Sequence, residues 1–422
     1  MNGPEWLLQQ LPALQQAGVI DSATGERLRT HYASLLEARP GLARILFTVL
    51  GALLIGLGVI LLVAHNWDNW PRGLRLAAAF APLLLGQLAC AAVLWRARDS
   101  VAWSESAAVF TAAAFAAALA LVGQIFHFPG DLDRYLLTCS LAALPLVYLL
   151  RASLTAVICA LGFAGWAGSV PWGGDQPLLA LLLFALLLPH VWRSWRVDSE
   201  SFRTTFLLYW LVPALFVAVL LSLPQSLRLG WLWFAECGAL LWLLPGAAPG
   251  LQLRRPLQGY GSLAVAAVAL AGSYTDFWQH EWYGRAGEAA MQQAWILLGL
   301  VLAAVLFLGL RALRERAWLR AMGAFPALLL WLGLALDFRD HALWPALLCN
   351  LYVAGLGLAI LRAGIAQRRM RIANGGLALI AALVLARFFD GDWSFTVRGL
   401  AFIGVGVGFF IANFWLRRRV QA

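Results

Sequence analysis

Apolar segments long enough to cross a bilayer recur along almost the whole of this chain, and the turns between them are only a few polar residues long. A helix needs about 20 apolar residues to span the hydrocarbon. About fourteen such segments can be counted, near 43–64, 74–95, 105–126, 134–150, 152–170, 177–192, 204–223, 229–246, 257–275, 291–310, 319–336, 342–361, 371–387 and 397–415. Those at 134–150 and 177–192 are the shortest. The pattern predicts an all-α, polytopic transmembrane helix bundle of about 14 spans. Composition agrees: 62% of the 422 residues are hydrophobic and 12% charged, with a mean hydropathy of +0.76. A soluble chain of this length carries far more charge.

Ahead of the first span, residues 4–17 and 22–38 read as a short amphipathic helical hairpin. Leu7, Leu11 and Leu14 form one stripe, and Leu28, Tyr32, Leu35 and Leu36 another. Gly18 can end the first helix in a left-handed conformation. Asp21 or Ser22 can cap the second. Three regions result: a cytoplasmic hairpin at 1–40, a four-span module at 41–151, and a bundle of about ten spans at 152–422.

The 31 basic residues are all arginine, and they gather at helix ends. With the N-terminus placed in the cytoplasm, only Arg72, Arg75, Arg134, Arg228, Arg285, Arg339, Arg387 and Arg398 fall on the outer side; the other 23 are inside. The positive-inside rule then puts both termini in the cytoplasm. The +10 formal charge is thus a topology signal, and nucleic acid is not an expected partner. The cluster Arg311, Arg314, Arg316 and Arg320 can in addition meet anionic lipid headgroups. Membrane lipids are the expected partners, and the oligomeric state stays open. The outer turns are acidic and hold His65, His127, His280 and His341, each near a carboxylate in sequence. No HExxH or comparable spacing is present, so no metal and no other cofactor is expected. Five cysteines inside apolar runs read as small buried hydrophobes.

Two turns stand out. The first, Val63 to Arg75, holds His65, Asn66, Trp67 and Asp68. Its Pro71 can start a helix, and its tryptophans suit an interface. The second, Gly123 to Asp131, holds Gln124, His127, Gly130 and Asp131, with Gly130 expected in a conformation that disfavours a β-carbon. Arg387–Trp393 has a similar order of aromatics before Gly-Asp, as short interfacial turns often do. Together with the Gln15–Tyr32 hairpin, the Ala64–Ala79 and Gly123–Leu150 stretches resemble a family of bacterial membrane proteins whose N-terminal module is catalogued as a domain of unknown function, DUF-2157. The segment from Arg387 to Arg419 resembles the ends of related proteins. The resemblance implies a topology and carries no activity or catalytic residue.

Glu236 is the one ionisable residue expected well inside a span. Seven or eight residues from the outer end puts it about 11 Å deep, beyond the reach of a short carboxylate to the headgroups. It must face protein or water. Expected partners are a backbone carbonyl or an amide such as Gln87, Gln124, Asn350 or Asn374. Pro82, Pro145, Pro213 and Pro326 fall inside spans and can kink them. Gly404 and Gly408 form a GxxxG face. His190 beside Pro189 reads as structural. P-loop, GxSxG, dinucleotide and CxxC signatures are absent from the sequence. The leading expectation is a non-enzymatic membrane protein that binds or moves a small or amphipathic, lipid-like substrate, with Glu236 as substrate contact or proton relay. The alternatives are an enzyme of envelope lipid or glycan metabolism using outer-loop acids such as Asp68 and Asp131, and a structural or sensory component.

Overall fold

In lipid a backbone must satisfy its own N–H and C=O groups, which favours helices, and every regular element among the described residues is helical. The computed structural model describes residues 3–37, 67–170, 177–199, 201–224, 227–244, 256–279 and 288–390, together with 396, 403, 406 and 407. The expected spans at 43–64 and 397–415, with Gly404 and Gly408, lie outside the described residues or almost wholly so. The chain divides into two units, Met1–Ala78 and Ala79–Ala422.

The first unit opens with the expected hairpin, α1 (Gly3–Gln16) and α2 (Ser22–Glu37). Gly18 ends α1 at φ +69°, and the Val19 N–H closes the turn on the Leu14 carbonyl at 3.0 Å. This is the backbone in which glycine has no β-carbon penalty. Asp21 accepts the Gly25 N–H at 3.0 Å, and a side-chain hydrogen bond with Thr24 holds its carboxyl below the usual aspartate range. Leu11, on the expected stripe, is buried. A 3-10 turn at Trp67–Asn69 leads into α3 (Arg72–Arg96). Pro71 stands one residue before α3, its carbonyl taking the Leu74 and Arg75 N–H groups.

The second unit continues with α4 (Val101–Phe126), α5 (Leu132–Leu149), α6 (Ser153–Ser169), α7 (Pro177–Ala185), α8 (Leu188–Val197) and α9 (Phe202–Ser222). Then come α10 (Leu227–Leu243), α11 (Pro256–Ala271), α12 (Thr275–Gln279), α13 (Glu288–Arg314), α14 (Trp318–Ala321), α15 (Phe325–Leu336), α16 (Leu343–Ala366) and α17 (Met370–Asp390). Among the described residues, eight helices are long and apolar enough to cross a membrane, and nine if α7 and α8, bent by 43°, form one span. Three further apolar helices, α6, α10 and α11, are shorter. At 17 residues, α6 extends only about 25 Å at 1.5 Å per residue. The described residues therefore support eight to nine membrane-length helices rather than the expected fourteen or so.

Large apolar side chains point outward on these helices: Leu88 is 67% exposed, Phe307 67% and Leu351 71%. Acyl chains cover such a face without penalty. Between helices, small residues allow close approach, since lipid supplies no hydrophobic drive for helix association. The α16–α17 pair shows this best: a β-carbon on Gly376 would lie 2.6 Å from the Gly357 carbonyl oxygen and 2.6 Å from the Leu361 nitrogen. Pro82, Pro145 and Pro213 sit inside α3, α5 and α9 as expected. Pro326 does not. It occupies the first turn of α15, behind a 3-10 stretch at Met322–Ala324, where its missing N–H leaves nothing unsatisfied.

Candidate functional site: a buried carboxylate beneath an aromatic cleft

Glu236 lies near the middle of α10 and has no exposed surface. Its neighbours Leu232, Trp233 and Ala239 are buried with it. One carboxylate oxygen, Oε1, accepts the indole N–H of Trp331 on α15 at 2.6 Å. The other, Oε2, is buried without a hydrogen-bond partner. The expectation that this acid faces the interior holds, but its partner is not one of the amides. Asn350 instead donates to the carbonyls of Ser273 at 3.0 Å and Ala346 at 2.8 Å. An indole is a donor only, so it can serve one oxygen and leaves the second unserved.

One helical turn from Glu236, on the same α10–α15 interface, opens a cleft of about 50 Å³. Trp231 and Leu232 wall it from α10, Phe277 and Trp278 from α12, and Leu334 from α15, with Phe338 just beyond. The register is antiparallel. Glu236 meets Trp331, while Leu232 and Leu334, three to four residues away on each helix, share the cleft. The rings form an edge-to-face chain: Trp231 to Phe277 at 5.2 Å, Phe277 to Trp278 at 5.3 Å, and Trp278 to Phe338 at 6.0 Å. That geometry sets the positive edge of one ring against the negative face of the next. Trp278 is fixed by its indole N–H, which donates to the Gly272 carbonyl at 2.7 Å. Gly333 gives the ring room; a β-carbon there would come within 2.7 Å of it. In sequence, exposed Asp276 adjoins the lining residue Phe277, and Asp337 and exposed Asp340 lie on either side of Phe338. Arg339 donates to Asp337 at 2.7 Å.

The two turns singled out in the sequence are built differently. Around Trp67, the Trp70 ring stands at 6.3 Å, the Arg75 guanidinium lies 5.9 Å over the Trp67 ring, and Arg75 also donates to the Trp70 carbonyl at 2.9 Å. His65 and Asn66 lie outside the described residues, as does the side chain of Asp68. In the second turn it is His127, not Gly130, that adopts the left-handed conformation, at φ 54°. The Phe128 N–H returns to the Gly123 carbonyl at 3.0 Å, closing the helix at Phe126, where the span was expected to end. Gly130 has a negative φ, and a β-carbon there would meet nothing within 4 Å. Gln124 and His127 are exposed. Asp131 caps α5 through its backbone and pairs with Arg134 at 3.4 Å, both side chains largely in solvent. His280 lies outside the described residues, and His341 is exposed in its own turn. Among the described residues no three His, Cys, Asp or Glu side chains converge as metal ligands.

A further polar constellation did not emerge from the sequence. Glu105, one turn into α4, reaches the start of α6 and accepts the Ser153 N–H at 2.7 Å and the Leu154 N–H at 2.9 Å. Arg203 of α9 pairs with the same carboxylate at 3.1 Å and donates to the Ser153 hydroxyl at 2.8 Å. That hydroxyl lies 3.1 Å from His190 Nε2. Ser153 and His190 are 2% and 5% exposed, so the pair is closed to substrate, in keeping with a structural His190. The available signal was positional: all four residues fall at helix ends that alternation assigns to one end of the bundle.

A helical bundle with apolar outer faces and eight or nine apolar helices of membrane length among the described residues defines a multi-pass α-helical membrane protein. Residues 12–156 match the family model described as "Predicted membrane protein (DUF2157)", and over that stretch the resemblance read from the sequence is borne out. No curated protein and no solved structure matches the chain.

Proposed function

We propose that this chain binds and moves a small amphipathic or lipid-like molecule within its helix bundle, using the aromatic cleft at the ends of α10, α12 and α15. One observation carries the reading: a wholly buried carboxylate with one unpartnered oxygen lies one turn beneath a cleft walled by four aromatic rings. Apolar walls with a few placed polar groups are the usual composition of a small-molecule site, and an intramembrane acid facing the interior is by default a functional candidate. The enzymatic alternative gains nothing from Asp131, which serves its own helix start and Arg134. The setting we infer is the inner membrane of a bacterium, with the arginine-rich helix ends in the cytoplasm.

Photolabelling tests the reading. The full chain in phosphatidylcholine nanodiscs is irradiated with 3-azioctanol, a small amphipathic diazirine, and adducts are mapped by mass spectrometry. Saturable adducts on Phe277, Trp278 and Phe338, lost in Gly333→Leu, are expected. Labelling spread evenly over the lipid-facing residues and unchanged by Gly333→Leu would reject the cleft as a binding site.

A further inference from the structure

We infer that α8 is an interfacial helix that binds the phosphate of anionic phospholipids, with Arg193 and Arg196 as its ligands. The inference stands apart from the cleft. A bend of 43° separates α7 from α8. It falls just ahead of Pro189, whose missing N–H interrupts the helix ladder. Two hydrogen bonds then fix how α8 lies. His190 Nε2 is 3.1 Å from the hydroxyl of Ser153, the first residue of α6. The Ser194 hydroxyl, one turn further along α8, is 2.7 Å from that of Thr204 in the first turn of α9. Arg203 of α9 donates to the same Ser153 hydroxyl, so the starts of α6 and α9 share a level. One turn of α8 bridges them and runs obliquely across the end of the bundle.

The faces of α8 turned away from the bundle are split by chemistry. At 3.6 residues per turn, Leu188, Trp192 and Trp195 fall on one strip, all three exposed. Arg193 and Arg196 fall beside it and are exposed too. Tryptophan and arginine alternate along the chain here, so apolar and charged groups are separated by face and not by depth. A helix that only continued a span would end its apolar residues before its charged ones began. Separation by face is the pattern of a helix at the membrane surface, with rings toward the acyl boundary and cations toward the headgroups. The Arg196 guanidinium lies 4.6 Å over the Trp192 ring, at the border of the two strips. That contact uses none of its N–H groups, which match a pair of phosphate oxygens. Among the described residues neither Arg193 nor Arg196 pairs with an acid, in contrast to Arg203, which Glu105 holds at 3.1 Å. A zwitterionic headgroup brings its own cation to the phosphate, so two free arginines favour the anionic class.

Lipid photolabelling tests the inference. The full chain in phosphatidylcholine nanodiscs receives a trace of phosphatidylglycerol or phosphatidylcholine carrying a diazirine at the glycerol end of one acyl chain, and adducts are mapped by mass spectrometry. The phosphatidylglycerol probe should label α8 in clear preference to the phosphatidylcholine probe. Unlabelled phosphatidylglycerol should displace it, and excess inorganic phosphate should not. A phosphatidylglycerol probe with its diazirine at the methyl end of the chain should spare α8. Arg193→Gln combined with Arg196→Gln should weaken phosphatidylglycerol at α8 about 25-fold, from about 5-fold for each arginine at an anionic surface, and leave labelling beside Arg311 and Arg314 unchanged. Equal labelling of α8 by the two headgroups, or full phosphatidylglycerol labelling of the folded double variant, overturns the inference. Labelling of α8 by the methyl-end probe as strong as by the glycerol-end probe overturns its interfacial placement, and displacement by inorganic phosphate overturns the lipid as ligand. If the double variant does not insert, the headgroup comparison on the unaltered chain decides. None of these outcomes depends on whether azioctanol enters the cleft.

Discussion

At the scale of single residues, a partly buried carboxylate and a fully buried one do opposite things. Glu105 is fully engaged: two backbone N–H groups and a guanidinium converge on it. Removing it leaves the first N–H groups of α6 and the charge of Arg203 without their acceptor, and the buried Ser153 N–H left unserved costs about 1–3 kcal/mol. Glu105→Ala should therefore lower the thermal midpoint strongly in detergent, with Glu105→Gln, which keeps an acceptor oxygen, losing clearly less. Glu236 is half engaged, with one oxygen held by Trp331. Glu236→Leu orphans the indole N–H, and Trp331→Phe orphans the carboxylate, each costing about 1–3 kcal/mol. The double variant removes both polar groups and should recover much of the loss, because replacing a buried polar pair by apolar groups can be close to neutral. A double-mutant cycle on thermal midpoints checks this; strictly additive losses would mean that the hydrogen bond contributes nothing.

Among the elements, the tightest packing is α16 against α17. Backbone atoms occupy the space a side chain would need at Gly376, and backbone cannot rotate away as a rotamer can. Gly376→Ala should cost about 1–3 kcal/mol, the usual range for overpacking, while Ala at the open Gly375, where a β-carbon meets nothing, should be tolerated. The elbow between α13 and α14 is held electrostatically. Arg311 donates to Glu315 at 2.8 Å, and Arg320 pairs with its other oxygen. Both hold the Glu315 carboxyl below the usual glutamate range. A lowered folded-state pKa gives a contribution present above the ordinary glutamate value and lost as pH falls through the folded one. Hydrogen-exchange protection at Glu315–Ala321, taken relative to the intrinsic rate at each pH, should therefore fall in acid. Since the pair is solvent-exposed, added salt at neutral pH should have a similar, smaller effect. The sequence made the helices legible because apolar length is written into consecutive residues. Their partners were hidden, because the contacts join distant positions. Trp331 is 95 residues from Glu236 and is one of 21 tryptophans. Glu105 reads as an ordinary acid at a helix start until Ser153, 48 residues on, is brought beside it. His127 in the left-handed region was missed because glycine is the residue that usually goes there, and Gly130 stood three positions away.

At the scale of the whole molecule, the arginines give an expected direction of the chain through the bilayer, and side-chain contacts show which helix ends share a level. Glu105, Ser153, His190 and Arg203 touch one another, so α4 and α9 begin, and α6 begins, at a common level. The cleft joins the beginning of α10 to α12 and the end of α15, which sets those three at a common level too. The positive-inside rule then assigns the two levels. Arg193, Arg196 and Arg203 crowd the first, while Asp276, Asp337 and Asp340 border the second. The first is expected to be cytoplasmic and the second external. Paired reporters, one active only in the cytoplasm and one only outside it, fused at Arg98, Ser199 and Arg314 should read cytoplasmic, and at Gly130 and Asp340 external. Moving positive charge supplies the stronger test, because orientation follows Lys and Arg near span ends more than total charge. Replacing Arg193 and Arg196 by glutamine while adding two arginines beside Asp340 should blur the reporter difference at Ser199 and Asp340. If the unaltered chain gave Gly130 and Arg314 the same side, the alternation would be wrong, and the cleft could not be assigned to an external face.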